Sequence, residues 1–174
     1  MRIGIFGGSF DPVHSGHVGI ARRAIAEFNL DRLLVIPAAV SPFKTEKAPK
    51  ALGYDRLALV RAAFADIPEA VVDERELNRG GVSYSIVTVR EVAAENPGAE
   101  IIFLVGEDSV AGLPRWKNYD ELVKLCTFRS FPRTRESSTE VRRRLLAGEP
   151  IADLVPPAVL ALIRRQALFR LATS

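Results

Sequence analysis

His14 and His17 are the only histidines in the 174-residue chain, and both lie in the segment Gly7-Gly8-Ser9-Phe10-Asp11-Pro12-Val13-His14-Ser15-Gly16-His17. Glycines at 7 and 8 let a backbone approach a phosphate closely. A helix beginning near Ser15 or Gly16 offers free amide donors at the positive end of its dipole. Together these features describe a phosphate cradle. The segment is neither a Walker loop nor a G-x-G-x-x-G fingerprint, which removes support from P-loop hydrolysis and from ordinary dinucleotide binding. A zinc site is one alternative, but with no third histidine and a single cysteine, Cys126, it would have to recruit carboxylates. A structural pair, each ring satisfied by a backbone carbonyl, is another. The phosphate-shaped turn alongside favours contact with phosphate, and no dedicated metal site is read from the sequence.

Ser137-Ser138-Thr139-Glu140-Val141-Arg142 carries a second candidate anion site. Three hydroxyls fall at an expected helix N-terminus, with Arg142 projecting from the first turns. Ser137 and Glu140 have the S-x-x-E spacing of a capping box, but a plain N-cap would explain one serine and not the rest. Six arginines lie between Arg129 and Arg144, while Lys44, Lys47 and Lys50 cluster in a Pro-containing segment that reads as an exposed loop. A net charge of +3 and a pI near 9.3 favour anionic partners without separating nucleic acid from a phosphorylated metabolite. Single-strand binders interleave basic residues with stacking aromatics, and the arginine run contains only Phe131.

These groups need a scaffold, and the hydrophobic pattern supplies one. Residues 2 to 6 form a short apolar run, ended by Gly7 and Gly8, that reads as a strand buried on both faces. Val18, Ala21, Ile25 and Phe28 then recur at helical spacing, and Leu33 to Ile36 is an apolar, β-branched run that stops at Pro37. The alternation continues with a helix carrying Leu57, Val60 and Phe64, a short strand near Val71 and Val72, a helix carrying Ile86, Val89 and Ala93, and a strand at Ile101 to Val105. Residues 126 to 131 are a candidate last strand, and two helices are expected from near Ser137 and from Pro157, which suits a first helical position. The pattern predicts an α/β fold, a Rossmann-like doubly wound and mainly parallel sheet with helices on both faces. In such sheets the ligand lies beyond the carboxyl ends of the strands, so the segments after Phe6, Ile36 and Val105 should converge on one crevice.

A chain of this size with 48% hydrophobic residues suits one domain with one buried core. The first apolar run is too short for a signal peptide and no later run approaches a membrane span. One unpaired cysteine fits a reducing compartment. A cytoplasmic protein with no membrane partner is the expectation, and a homo-oligomer is left open.

The first segment resembles the G-x-F-D-P-x-H-x-G-H signature of the nucleotidyltransferases that activate small phosphates with ATP or CTP. Phosphopantetheine adenylyltransferases, glycerol-phosphate cytidylyltransferases and pyridine-nucleotide adenylyltransferases share it. Ser137 to Arg142 resembles the I-S-S-T-x-[IV]-R signature of the last group, and Leu113-Pro114-Arg115-Trp116-Lys117 followed by Glu121-Leu122 is similar to its bacterial nicotinate-nucleotide branch. The resemblance runs from Arg2 to about Phe169. It implies a single nucleotidyltransferase domain over 1–174, with residues 137 to 170 completing the ATP site, and transfer of AMP from ATP to nicotinate mononucleotide. His14, His17 and Arg142 would be catalytic. Gly7, Gly8, Ser9, Phe10, Gly16, Gly106, Asp108, Ser137, Ser138 and Thr139 would bind ATP, with Asp108 accepting ribose hydroxyls. Lys44, Tyr84, Ser85 and Trp116, the only tryptophan, would bind the acceptor, the indole stacking on the pyridine ring. Mg²⁺ would arrive with the nucleotide, and no nucleic-acid partner is implied. Tryptophan's neighbours Pro114, Arg115, Lys117 and Asn118 are poor core company, so a partly exposed ring is expected. A phosphopantetheine adenylyltransferase, or a nucleotide- or RNA-binding regulator that kept the fold without the activity, are the rival readings. This chain departs from the pattern at Ser41-Pro42-Phe43-Lys44 where P-P-H-K is common, at Glu136 for isoleucine, at Ser85 and Val87 for threonine and aspartate, and in a short 131–137 stretch.

Overall fold

β-Branched and aliphatic residues set the centre of the molecule. The computed structural model describes residues 1–42 and 49–169, in which strands β1 (Arg2–Gly8), β2 (Arg32–Pro37), β3 (Ala70–Val72), β4 (Glu100–Gly106) and β5 (Thr127–Phe131) form one sheet of order β3-β2-β1-β4-β5. Every pairing is parallel. The interior of β1, β2 and β4 is buried on both faces, which is why each reads as an unbroken apolar run rather than an alternating one.

Alternation along the strands separates two cores. On one face Phe6, Leu33, Val35, Ile102 and Leu104 pack with Ala21 and Ala24 of helix α1 (Ser15–Phe28), with Leu59 and Val60 of α2 (Gly53–Phe64), and with Val159 and Ile163 of α7 (Pro157–Gln166). On the other, Ile3, Ile5, Leu34, Ile36, Phe103 and Val105 meet Ile86, Val89 and Val92 of α4 (Ser85–Glu95) and Leu122 of α5 (Tyr119–Leu125). Helices on both faces of a parallel sheet are the expected architecture, all-parallel where a mainly parallel sheet was expected. Each fully buried side chain of this kind contributes about 1.5–3 kcal/mol.

The remaining elements are α3 (Arg75–Arg79), a 3₁₀ segment at Glu107–Arg115 and α6 (Ser138–Ala147). Pro157 opens α7, as its sequence position implies. The chain leaves β1 to build β2 and β3 on one side, then returns to build β4 and β5 on the other. The reversal falls between β1 and β4, and a crevice must open at their carboxyl ends.

Candidate active site

A cavity of about 860 Å³ occupies that crevice, lined by Gly7, Gly8 and Ser9 beyond β1 and by Gly106 and Asp108 beyond β4, with Tyr84, Ser85 and Trp116 on the far wall. Eight of the residues singled out in the sequence thus share one space. Lys44 falls outside the described residues.

The turn after β1 is held by packing. Phe10 adopts a left-handed backbone, φ 45°, which is unfavourable for a non-glycine residue, and its ring is 2% exposed. It meets Phe6 edge-on at 5.6 Å and His17 at 4.9 Å. A Cβ on Gly8 would sit 3.2 Å from the Phe10 ring, so the glycine makes room for the aromatic that fixes the imidazole. His14 is the N-cap of α1, and its amide donates to His17 Nδ1 at 3.1 Å. The two rings stack with centroids 3.6 Å apart. Desolvation pushes the His14 imidazole down to about 4, against the field of Glu136, so it is neutral near pH 7. Its buried Nδ1 has no hydrogen-bond partner among the described residues.

The start of α6 adjoins this turn. Arg142 donates to the Asp11 carbonyl at 2.6 Å and lies 3.7 Å from its carboxylate, and the Ser138 hydroxyl donates to the Pro12 carbonyl at 2.8 Å. Both Asp11 oxygens also accept amides, from Lys50 at 2.8 Å and Ala51 at 3.0 Å. The start of α6 is therefore fastened to the turn that leads into His14.

One local expectation changes in detail. Ser137 caps α6 by accepting the Glu140 amide at 3.1 Å, but Glu140 does not complete a reciprocal box. Arg143 and Arg144 take its carboxylate at 2.9 Å each and hold it down at about 2. Charge-assisted bonds outcompete a neutral amide. The Ser138 hydroxyl donates to the Pro12 carbonyl, whereas the Thr139 hydroxyl accepts from Arg142 at 3.4 Å. Gly16 serves close packing: a Cβ there would fall 2.2 Å from Thr134 Oγ1 and 3.0 Å from a Glu136 oxygen. His14, His17, Phe10, Gly16, Ser137 to Thr139 and Arg142 are not among the cavity's lining residues.

Trp116 is partly buried, meeting Phe103 at 5.7 Å and Phe128 at 5.8 Å edge-on, and it lines the cavity as well. Beside it the Lys117 ammonium lies 4.2 Å over the Tyr84 ring. Asp108 is paired with Arg133 at 3.3 Å. Among the described residues no group of three or more His, Cys, Asp or Glu could hold a metal.

The cavity thus opens at the carboxyl ends of the central strands β1 and β4, and the starts of α1 and α6 meet along the turn that follows β1. Residues 5–157 match the cytidylyltransferase-like family. The chain belongs to that family, in its nicotinate-nucleotide adenylyltransferase branch. It is 37% identical to a probable nicotinate-nucleotide adenylyltransferase of Gemmatimonas aurantiaca, covering 98% of this chain and 93% of the relative. It is 39% identical to one of Shouchella clausii, covering 97% and 96%. The aligned span in the first case, 198 positions, is longer than this chain, so the relative has residues that this chain lacks. The fold superposes on a Plasmodium falciparum nicotinic acid mononucleotide adenylyltransferase complexed with NaAD, with a TM-score of 0.75 at 15% identity over 97% of each chain. No described helix is long and apolar enough to cross a membrane.

Two arginines near the site residues were not singled out in the sequence. Arg133 was visible only as part of a basic run, and that run is divided: Arg143 and Arg144 pair with Glu149 and Asp153, whereas Arg133 alone reaches Asp108. Arg56 is 2% exposed and donates to the Ser9 carbonyl at 2.6 Å, bracing the turn from behind. Nothing in the sequence links it to residue 9.

Proposed function

We propose that this protein transfers the AMP portion of MgATP to nicotinate mononucleotide, giving deamido-NAD and pyrophosphate. An oxygen of the acceptor's phosphate attacks the α-phosphorus in line. The new P–O bond forms as the bond to the β-phosphate oxygen breaks, and pyrophosphate carries away the electron pair. The attacking group is already anionic, so no protein nucleophile is needed and the chain's contribution is positioning and charge stabilisation.

His17 donates to the α-phosphate oxygens. His14, the amides at the start of α6 and Arg142 hold the β- and γ-phosphates as charge builds there, so residues 137 to 170 complete the ATP site. Gly7, Gly8 and Ser9 give the triphosphate access to backbone, Gly106 and Asp108 serve the adenosine, and Trp116 with Tyr84 and Ser85 receives the pyridine ring, with Lys44 as the cation for the acceptor phosphate. Mg²⁺ enters on the nucleotide. The observation that carries this reading is the fastening of α6 to Asp11 and Pro12, since it puts two anion-binding helix starts on one turn.

The test is pyrophosphate release from ATP with nicotinate mononucleotide, nicotinamide mononucleotide and phosphopantetheine compared in parallel. Turnover with the first is expected. Release only with phosphopantetheine, or with none, refutes the proposal.

A further inference from the structure

Arg56 is the largest of the fully buried side chains described. A guanidinium is costly to bury without a paired anion, and among the described residues no carboxylate lies within ion-pair distance of this one. Burial pushes it below its usual value, and its Nε has no hydrogen-bond partner among the described residues. What the side chain does engage is main chain: Nη1 donates to the Ser9 carbonyl at 2.6 Å.

That oxygen belongs to the Ser9–Phe10 peptide, whose plane is set relative to Phe10 by the Phe10 φ. Holding the oxygen therefore acts directly on that torsion. At 45° it lies in the left-handed region, which a bulky residue keeps only where its surroundings over-determine it. Arg56 holds the peptide, and the edge-on contact with Phe6 holds the ring. The same ring meets the His17 imidazole at 4.9 Å, which also stacks on His14 and accepts the His14 amide at Nδ1. An amide can only donate, so the proton of a neutral His17 is on Nε2. The direction of that N–H follows the tilt of the ring against Phe10.

Resting on the reading of His17 as the donor to the α-phosphate, we infer that Arg56 is a positioning residue for the reaction. It pins the Ser9 carbonyl, the pinned peptide keeps Phe10 left-handed, and the Phe10 ring sets the tilt of His17. Arg56 is not among the cavity's lining residues and acts through the turn. Arg56→Met removes the donor with a side chain of similar reach, whereas Arg56→Lys keeps the charge and loses the planar fork.

The experiment is a double-mutant cycle on kcat, with wild type, Arg56→Met, His17→Ala and the pair, each also measured for its melting temperature. Arg56→Met is expected to lower kcat about ten-fold, a part of the roughly 10²-fold that a misplacement of about 1 Å can cost. In the His17→Ala background the same change should cost less than about two-fold, because the ring it positions is gone. Arg56→Lys should fall between, about three-fold below wild type. A purely structural arginine would lower the melting temperature and leave kcat in place, and a long-range effect of its charge on the triphosphate would cost the same factor in both backgrounds. Either result overturns the inference. If Arg56→Met does not fold, Arg56→Lys decides by the same cycle, and an unchanged kcat or an equal loss in both backgrounds is then the overturning result. The assay uses whichever acceptor the wild type turns over, so a different acceptor refutes the functional reading alone, and no turnover refutes both. A fully active His17→Ala protein refutes this inference while leaving the overall reaction standing.

Discussion

Lowering the pH should weaken this fold through His14, and replacing His14 by asparagine should remove that sensitivity. The imidazole is 6% exposed and its folded-state value is pushed down to about 4 from 6.5. A histidine depressed in this way contributes stability that is present above 6.5 and lost as the pH falls toward 4, because the unfolded chain takes up the proton first. Over the whole window the difference is worth about 3.4 kcal/mol at about 1.36 kcal/mol per unit. Between about pH 7.5 and about pH 5 the linkage relation gives a loss of about 2 kcal/mol, or about 4–8 °C in melting temperature for a chain of this length. Glu76 works in the opposite sense, since a carboxyl raised by burial favours the fold as the pH falls. The quantity to measure is therefore the difference between wild type and His14→Asn, by denaturant titration at the two pH values. Equal pH dependence in the two proteins would show that the imidazole is not desolvated and that the account of the stacked pair is wrong.

Other consequences can be tested on the same protein. His17→Ala should lose about 2.7–4 kcal/mol of transition-state stabilisation, a fall of about 10²–10³ in kcat, with a much smaller change in ATP affinity. Normal turnover in a folded variant would take the imidazole out of the mechanism. Gly16→Ala should destabilise by about 1–3 kcal/mol, since the added methyl meets Thr134 at 2.2 Å, and an unchanged melting temperature would contradict the packing described. Cys126 is buried, its thiol pushed up to about 12 and directed to the Leu122 carbonyl at 3.3 Å. It should resist iodoacetamide in the folded protein and react on unfolding, as read by mass spectrometry.

The sheet was legible because its strands are buried on both faces. The runs 2–6, 33–36 and 101–105 needed no tertiary information, and each observed strand extends only one or two residues beyond them. The helix starts were legible from punctuation, Gly16 near one and Pro157 at another. What stayed hidden depends on distant partners. Helix α3 has five residues and no apolar stripe, and Arg75 at its start is held by Asp73 at 2.7 Å and Glu95 at 2.9 Å. The capping-box spacing at Ser137 was present, yet Arg143 and Arg144 redirected its glutamate. Among six arginines, the sequence singled out Arg142 by its place after Ser137 to Thr139, while the ion pairs that engage Arg133, Arg143 and Arg144 depend on partners it could not show.

The missing side chain at residue 16 bears on how such a protein tolerates change. Thr134 and Glu136 lean directly on bare main chain there, so the spacing between the two helix beginnings is fixed by touch rather than by the number of residues joining Phe131 to Ser137. Extra residues inserted between Phe131 and Thr134 can loop outward without shifting Arg142, and a short connection does not pull it away. Length in that stretch is thereby free to vary, while the two helix beginnings keep their separation.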